Sequence, residues 1–312
     1  MAKAAAAPAV PVALGLPTRP LRWVRSLIIF IGPLLAPFFF SWSGLVVFLI
    51  LHFPLGYAYL IGHHRLFTHR SFHARPPLRY LIAFMGSLAN QGGPMIWAAA
   101  HRAHHAHADQ PGDPHSPTGS RWWSYFGWLF AYCPDIDDPE KLRFRVSDLA
   151  KDPGLRFIEW TEPIWQMALA VALYFGGEAW GGVGVSWVVW GWFVRVGLIY
   201  HSAALVNTFA HERGYRNFDT LDRSTNFWPI LLLAAGDCWH NNHHACSRSA
   251  RHGGVHWWES DSAFGLIRLF ARLGWASDVH LPDRVLFPSN SSTRERLKFV
   301  VVAPVPIAAG KA

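Results

Sequence analysis

The sequence predicts an all-α membrane protein, with four transmembrane helices beneath a cytosolic helical cap that carries a histidine-rich metal site. Three observations support this fold class. The chain of 312 residues is 51% hydrophobic and only 15% charged, whereas a soluble domain has about 25% charged residues. Its apolar residues gather in long runs. Its 18 histidines include the pattern His-x-x-His-His twice, at residues 101–105 and 240–244.

Four apolar runs have the length of a membrane-spanning helix, which needs about 17–25 residues. They cover residues 24–40, 45–61, 164–181 and 185–206. The links at residues 41–44 and 181–184 carry no Lys or Arg, and arginines flank the first pair of runs on its other side. The positive-inside bias therefore places both termini and every histidine group in the cytoplasm. The same bias explains the net charge of +8, so we expect the lipid bilayer, not nucleic acid, as partner.

The rest of the chain predicts one domain over residues 21–285. Residues 1–20 are rich in Ala and Pro and are expected to form a disordered lead-in, and residues 286–312 are expected to be a C-terminal tail. Residues 78–100 are apolar but are interrupted at 90–94 by Asn, Gln, Gly and Pro. That interruption predicts a partly re-entrant stretch that lines a cavity.

Two further segments are too polar or too short to cross a bilayer. Residues 106–160 are rich in Asp, Pro and Trp, and they predict short helices lying on the membrane surface. Residues 227–236 are apolar but short, and they predict an interfacial helix that leads into the second His-x-x-His-His pattern. The three cysteines lack metal-type spacing and predict a reducing compartment without disulfides.

Four polar groups carry the candidate chemistry, and each lies at a predicted boundary between membrane and cytoplasm. Residues i, i+3 and i+4 of a helix share one face, so each His-x-x-His-His presents three imidazoles together. Neutral imidazole binds Fe, Zn, Cu and Ni. Nine histidines exceed the needs of one tetrahedral zinc, which indicates two metals. The candidate residues are His64, His69, His101, His104, His105, Asn207, His211, His240, His243 and His244.

The other histidines are expected to have more ordinary roles. Those at His52, His201 and His280 are interpreted as core or interface residues. The histidines that flank the candidate groups are interpreted as surface residues or as groups behind the ligands: His63, His73, His107, His115, His252 and His256.

These motifs resemble the histidine boxes of the membrane fatty acyl desaturases, specifically the Δ9, stearoyl-CoA desaturase-like branch in its bacterial form. The boxes are His-Arg-Leu-Phe-Thr-His at 64–69, His-Arg-Ala-His-His at 101–105 and His-Asn-Asn-His-His at 240–244. The resemblance covers roughly residues 25–260 in the same order. It also includes the shorter motifs Asn207-x3-His211, Gly-Asp-Pro-His at 112–115, Trp-Trp-Ser at 122–124, Gly-Trp at 127–128 and Gly-Tyr-Arg at 214–216.

The resemblance implies a di-iron centre bound by nine histidines, with Asn207 holding one of the two Fe ions through a water. It implies four transmembrane helices under a cytosolic cap, and a kinked tunnel for the acyl chain, bent beside Gln91 and Trp97. The implied reaction inserts a cis double bond, expected at Δ9, into a saturated acyl chain, using O2 and two electrons. No catalytic residue separate from the metal ligands is expected. An integral protein of the bacterial inner membrane, with its active site in the cytoplasm, is the implied location.

Three departures from the family pattern bear on substrate and electron supply. Basic residues that hold a CoA headgroup in the animal enzymes are replaced by Ala99-Ala100 and by residues 131–134, which favours an acyl-lipid or acyl-carrier protein over acyl-CoA. The family's Thr-Trp pair is replaced by Ala203-Ala204, which leaves the double-bond position open. No His-Pro-Gly-Gly motif of a fused cytochrome b5 occurs, so we expect a separate donor, a ferredoxin, rubredoxin-like or cytochrome b5-type protein, with its reductase.

Two alternatives stay open at this point. A membrane di-iron hydroxylase or ketolase would share the metal site and differ only in product. A non-catalytic, histidine-rich metal transporter should place its ligands near the middle of its spans. Here the histidines cluster at the ends of the predicted spans, which disfavours a transporter.

Overall fold

The computed structural model describes residues 19–282, and most of them are helical. The expected lead-in therefore lies outside the described residues except for residues 19 and 20, as does the expected tail. A two-stranded antiparallel ladder pairs β1, His73–Ala74, with β2, Ala276–Ser277. The helices are α1 Arg19–Leu35, α2 Trp42–Thr68, α3 Pro76–Ser87, α4 Pro94–His107, α5 Arg121–Tyr125, α6 Pro134–Asp137, α7 Pro139–Arg145, α8 Pro153–Gly181, α9 Gly184–Phe209, α10 Leu231–Ala234, α11 His240–Ala245 and α12 Ser262–Arg272.

Two helices of the described chain, α2 and α9, are long and apolar enough to cross a membrane. They correspond to the second and fourth predicted spans. The first predicted span, 24–40, is displaced, because α1 ends at Leu35 and residues 36–39 form a turn around Pro37, and the residue before a proline disfavours helix. The third, 164–181, is the second half of the longer helix α8.

The last turns of α2 are wound as a π-helix over Tyr59–Thr68. The amide of His69 donates to the carbonyl of His64 at 3.2 Å, a bond that spans five residues. In an α-helix, residues five apart point about 140° away from each other. The wider π winding turns His64 and His69 toward one side, and their ring centroids lie 5.0 Å apart.

The predicted interruption within residues 78–100 is confirmed. Helix α3 ends at Ser87, and α4 begins at Pro94, where proline is well accommodated in a first turn. Between them, Asn90 and Gly92 have φ angles of 62° and 90°, and this left-handed backbone reverses the chain. The reversal sends α4 toward the end of α2, so that the histidines of the two helices meet.

Short helices are found in residues 106–152 of the segment predicted to contain them, whereas residues 153–160 begin the long helix α8. They are α5, α6, α7 and two 3₁₀ turns, Gly127–Phe130 and Leu149–Lys151. The segment at 227–236 contains a 3₁₀ turn, Trp228–Ile230, followed by α10. A core of buried apolar side chains packs α3, α4, α7, α8 and α12 together, with Met95, Leu142, Leu155 and Ile267 fully buried. This core fixes α4, which carries three of the candidate ligands.

Close helix packing at Gly32 gives a test of this arrangement. Gly32 lies on α1, and a Cβ there would overlap the backbone carbonyl of Phe193 in α9. Overpacking of this kind costs about 1–3 kcal/mol, so Gly32→Ala should lower the thermal midpoint of the detergent-solubilised protein. Gly265→Ala is the matched control, because nothing lies within 4 Å of the added methyl group on α12. An unchanged midpoint for Gly32→Ala would contradict the packing of α1 on α9.

Candidate metal centre

The structure brings nine histidines from four separate segments into two adjacent clusters. They come from the end of α2, from α4, from the turn after α9 and from α11. Within each cluster, one ring nitrogen of every histidine lies within 4.8 Å of the others. The first cluster contains His64, His69, His101, His105 and His243, and the second contains His104, His211, His240 and His244.

Each His-x-x-His-His motif divides its imidazoles between the two clusters. On α4, the pair separated by four residues, His101 and His105, belongs to the first cluster, with Nε2 atoms 3.1 Å apart. The corresponding pair on α11, His240 and His244, belongs to the second cluster, with Nε2 atoms 3.0 Å apart. The middle histidine of each motif crosses to the other cluster. Each helix therefore joins both clusters and fixes the distance between them.

Four histidines are oriented by carboxylates that contact the ring nitrogen away from the cluster. Nδ1 of His64 lies 2.6 Å from Asp237, and Nδ1 of His244 lies 2.8 Å from Asp222. His104 and His211 are held in the same way by two residues of the loop after α4, Asp113 at 3.0 Å and Asp109 at 2.8 Å. A carboxylate accepts a hydrogen bond from Nδ1–H, so each of these rings is left with a lone pair on Nε2, the atom that faces the cluster.

The facing nitrogen atoms fit a cation and do not fit hydrogen bonds alone. Nε2 of His104 lies 3.4 Å from Nε2 of His244, and both rings donate Nδ1–H to an aspartate. Neither Nε2 then has a proton to donate, and two lone pairs would face each other. Ligand atoms at about 2.1 Å from one metal ion are separated by roughly 3.0–3.4 Å. The spacing of the cluster nitrogens is thus the spacing of ligands that share an ion.

Burial favours the neutral form of five of these imidazoles. It lowers the pKa of His244 to about 4. Burial, reinforced by the neighbouring imidazoles, holds the pKa values of His101, His105, His240 and His243 well below the usual value of 6.5. A neutral imidazole is the form that binds a metal. These five imidazoles can therefore accept cations at neutral pH without first losing protons.

Asn207 lies on α9 one turn before His211, and its side chain is partly buried. It lines both of the cavities beside the clusters, together with His101 in each and with His240 in one of them. The nine predicted histidine ligands are thus placed together, and Asn207 is placed beside them. Their assignment as ligands stays a prediction.

Two cavities approach the clusters and share lining residues. Cavity 1 extends between α2, α9 and α10, and cavity 2 extends between α1, the turn before α4 and the segment around α6. Trp97 lines both cavities, stacks on His101 and donates a hydrogen bond to Tyr59 at 2.8 Å. Gln91 lines cavity 2, and Ala203 lines both. Trp97 and Gln91 are the two residues predicted at the bend. Trp97 lies where the two cavities meet, and Gln91 lies on the wall of cavity 2.

The flanking histidines differ in burial. His63, His115 and His252 are buried, so they are not surface residues. His115 stacks on His104, and Nδ1 of His252 lies 3.1 Å from Asp237, which also contacts His64. His73 is exposed, and His107 and His256 are partly exposed.

Sequence reasoning missed the four aspartates. Asp113 lies within the quoted Gly-Asp-Pro-His motif and Asp237 lies three residues before His240, so a search for carboxylates near each histidine group would have found these two. Asp109 also lies near a histidine group, four residues after His105, whereas Asp222 has no comparable local signal. Sequence proximity does not reveal the partners of Asp109, Asp222 and Asp237, because each contacts a histidine that is 22 or more residues away in the chain.

Comparisons with known proteins agree with this site. A family model described as fatty acid desaturase matches residues 40–279. The chain is 41% identical over 274 residues to an sn-1 stearoyl-lipid 9-desaturase of Anabaena variabilis, covering 86% of this chain and 97% of that protein. It is 37% identical to an sn-2 palmitoyl-lipid 9-desaturase of Nostoc (83% and 90% covered) and 39% identical to an acyl-CoA 5-desaturase of Anemone leveillei (80% and 76% covered).

The family match covers most of the chain, and it includes all nine clustered histidines, Asn207 and the residues between the two cavities. The family is membrane-associated, generally uses iron, and acts on acyl chains with O2. The chain therefore belongs to the fatty acid desaturase family and is an oxidoreductase, an acyl desaturase.

Proposed function

We propose that this protein inserts a cis double bond, at Δ9, into a saturated acyl chain of a membrane lipid, using two irons held by the two clusters. The observation that carries the proposal is the set of nine imidazoles that each bring a ring nitrogen into one of the two clusters, with Nε2 atoms of neighbouring rings 3.0–3.4 Å apart. His64, His69, His101, His105 and His243 would hold one iron. His104, His211, His240 and His244, with Asn207 through a water, would hold the other.

The irons would supply the oxidising power that removes hydrogen from an unactivated methylene. The protein's own residues perform the positioning. Asp109, Asp113, Asp222 and Asp237 fix the rings by holding the Nδ1 protons. The mainly apolar walls of the two cavities would bind the acyl chain and exclude water. Trp97, held by Tyr59, stands where the chain would pass the clusters.

A lipid is favoured over acyl-CoA by the lining of the cavities. Neither cavity is lined by Lys or Arg in the part of the chain that the structure describes, and cavity 2 is lined by Asp137 instead. The phosphates of CoA are usually held by charge-assisted bonds from basic residues. Two of the relatives are named for lipid substrates, which supports the same choice. An acyl-carrier protein is the remaining alternative.

We further propose a single desaturase domain over residues 21–285 with four membrane spans, formed by α1, α2, α8 and α9. The cap and both termini would lie in the cytoplasm, and the membrane would be a bacterial inner membrane. The length of α8, 29 residues, and the exposed apolar side chains on its middle turns, Ile164, Met167 and Val171, support it as a span. A separate ferredoxin, rubredoxin-like or cytochrome b5-type protein, with its reductase, would supply electrons.

Product analysis tests the proposed reaction. The protein is expressed with an electron donor and reductase in membranes rich in saturated acyl lipids, and the acyl chains are analysed by mass spectrometry. A new cis-monounsaturated chain esterified to lipid is expected. Purified assays that offer phospholipid, acyl-carrier protein and acyl-CoA separately should favour the lipid. A hydroxylated product would show that the protein is a hydroxylase and not a desaturase. A strong preference for acyl-CoA would contradict the proposed substrate.

Metal content tests the two clusters separately. The purified protein should contain about two irons per chain. His243→Ala removes a ligand from the first cluster and His104→Ala removes one from the second, so each variant should lose about half of the iron and nearly all turnover. His73→Ala, at an exposed histidine outside the clusters, should retain both. Full iron content in either cluster variant would remove that histidine from the ligand set.

The role of the carboxylates is tested at Asp222. Asp222→Asn keeps the size of the side chain but weakens the hydrogen bond that orients His244. Loss of such a partner typically weakens metal binding by about 10–100-fold, which competition with a chelator can measure. Asp219→Asn, at an exposed position of the same loop, is the control. Equal chelator resistance in the two variants would show that Asp222 does not support the metal.

A further inference from the structure

The turn between α3 and α4 is held by polar side chains that the proposed metal chemistry does not use. This turn, residues 88–93, contributes Asn90, Gln91 and Gly92 to the wall of cavity 2. A side chain of α9 bonds to its backbone at Leu88, and side chains of α8 bond to the flanking backbone at Ser87 and Met95. The position of the turn is thus set from outside the cavity.

Two side chains bind the end of α3. Nε2 of Gln166 donates to the carbonyl of Ser87 at 2.8 Å, and Nη1 of Arg195 donates to the carbonyl of Leu88 at 2.8 Å. Nε of Arg195 also donates to Gly191 of its own helix at 2.7 Å, so the guanidinium is fixed between helices. The last carbonyls of a helix have no partner within the helix, and the interior of a membrane offers no water to replace one.

One carboxylate binds the start of α4. Oε2 of Glu159 accepts a hydrogen bond from the amide of Met95 at 2.6 Å. A Cβ at Gly93 would lie 2.5 Å from the Glu159 carboxylate, so glycine is needed for this approach. Nε2 of His63 lies 3.3 Å from the carbonyl of Gly92 on the same turn. The turn and the first turn of α4, which leads to His101, are therefore held together.

The signs of the two charges match the two helix ends. The cationic side chain of Arg195 lies at the C-terminal end of α3, and the anionic side chain of Glu159 lies at the N-terminal end of α4. These are the ends at which the helix dipole stabilises such charges. Both side chains are buried, with 0% and 5% exposure, and buried charges in a membrane protein are costly and usually functional.

We propose that Arg195 and Glu159 are positioning residues that fix the turn at 88–93 and thereby set which methylene pair of the acyl chain lies beside the histidine clusters. The inference rests on the proposed desaturase function and extends it to the choice of double-bond position. Displacement of the wall at Gln91 would let the chain slide along the cavities. A slide by one carbon–carbon bond moves the double bond by one position.

Product isomers provide the test, because a purely structural role would change the amount of product and not the ratio of isomers. Arg195→Met removes both hydrogen bonds to Leu88 and Gly191, and Glu159→Ala removes the bond to Met95. In each variant the share of products with a displaced double bond should rise about tenfold, the ratio that corresponds to about 1.4 kcal/mol. Glu159→Gln keeps an acceptor for the Met95 amide but loses the charge, so its ratio should lie between those of the wild type and Glu159→Ala. Mass spectrometry that locates double bonds gives the readout.

Trp187→Phe is the matched control, since it removes a hydrogen bond to Ser43 from the same helix, α9, without touching the turn. Its isomer ratio should equal that of the wild type. The inference is overturned if Arg195→Met and Glu159→Ala both retain the wild-type ratio, or if Trp187→Phe shifts it equally. If Arg195→Met does not accumulate, the isomer ratio of Glu159→Ala alone tests the inference. Absence of any olefin from the wild type would instead reject the proposed function.

Discussion

The site depends on holding nine imidazoles with their ring nitrogens close together in a buried space. Nε2 of His64 lies 3.1 Å from that of His243, which in turn lies 3.0 Å from that of His105. Buried polar atoms without a proton or cation between them are destabilising. An arrangement of this kind persists only where rigid helices and oriented side chains impose it and a bound cation would relieve it. Much of the described chain consists of the helices and side chains that impose this arrangement of imidazoles.

The carboxylates and one buried arginine form a layer around the clusters. Arg65 is fully buried within the π-helical end of α2 and contacts Asp237 and Asp261 at 2.9 and 3.1 Å. It also donates to the carbonyl of Ala250 at 2.7 Å. Asp237 orients His64, and Asp261 caps the first turn of α12 by accepting from the amide of Phe264. A displacement of α12 would therefore alter the orientation of His64 in the first cluster through this layer.

The cavities and the clusters are linked through α4. Its first turn and the turn before it form part of the wall of cavity 2, while its last two turns carry His101, His104 and His105. Trp97 lies between these two parts of the helix and stacks on His101. A rigid helix that bears both the wall and the ligands keeps the substrate cavity in register with the metal site, as positioning chemistry requires.

Local patterns in the sequence were sufficient to predict several helices of this protein and the residues of its candidate metal site. The spacing of His101, His104 and His105 predicted a shared helix face, and Asn90–Pro94 predicted the break before α4, because both follow from backbone geometry within a few residues. Apolar runs predicted α2 and α9 but placed the start of α8 eleven residues late. The reason is that the first part of α8 buries polar side chains such as Glu159 and Glu162, and hydropathy alone cannot distinguish a buried polar residue from an exposed one.

Tertiary structure alone decided how the histidines divide and what orients them. No spacing rule assigns His104 to one cluster and its neighbour His105 to the other, because both lie on the same helix face and the choice depends on where α11 approaches. The π winding that aligns His64 with His69 is stabilised by packing against α3 and α4. The pairing of His244 with Asp222 and of His211 with Asp109 joins segments that are distant in sequence. Local periodicity fixes which side chains share a face, whereas contacts between separate segments fix where that face points.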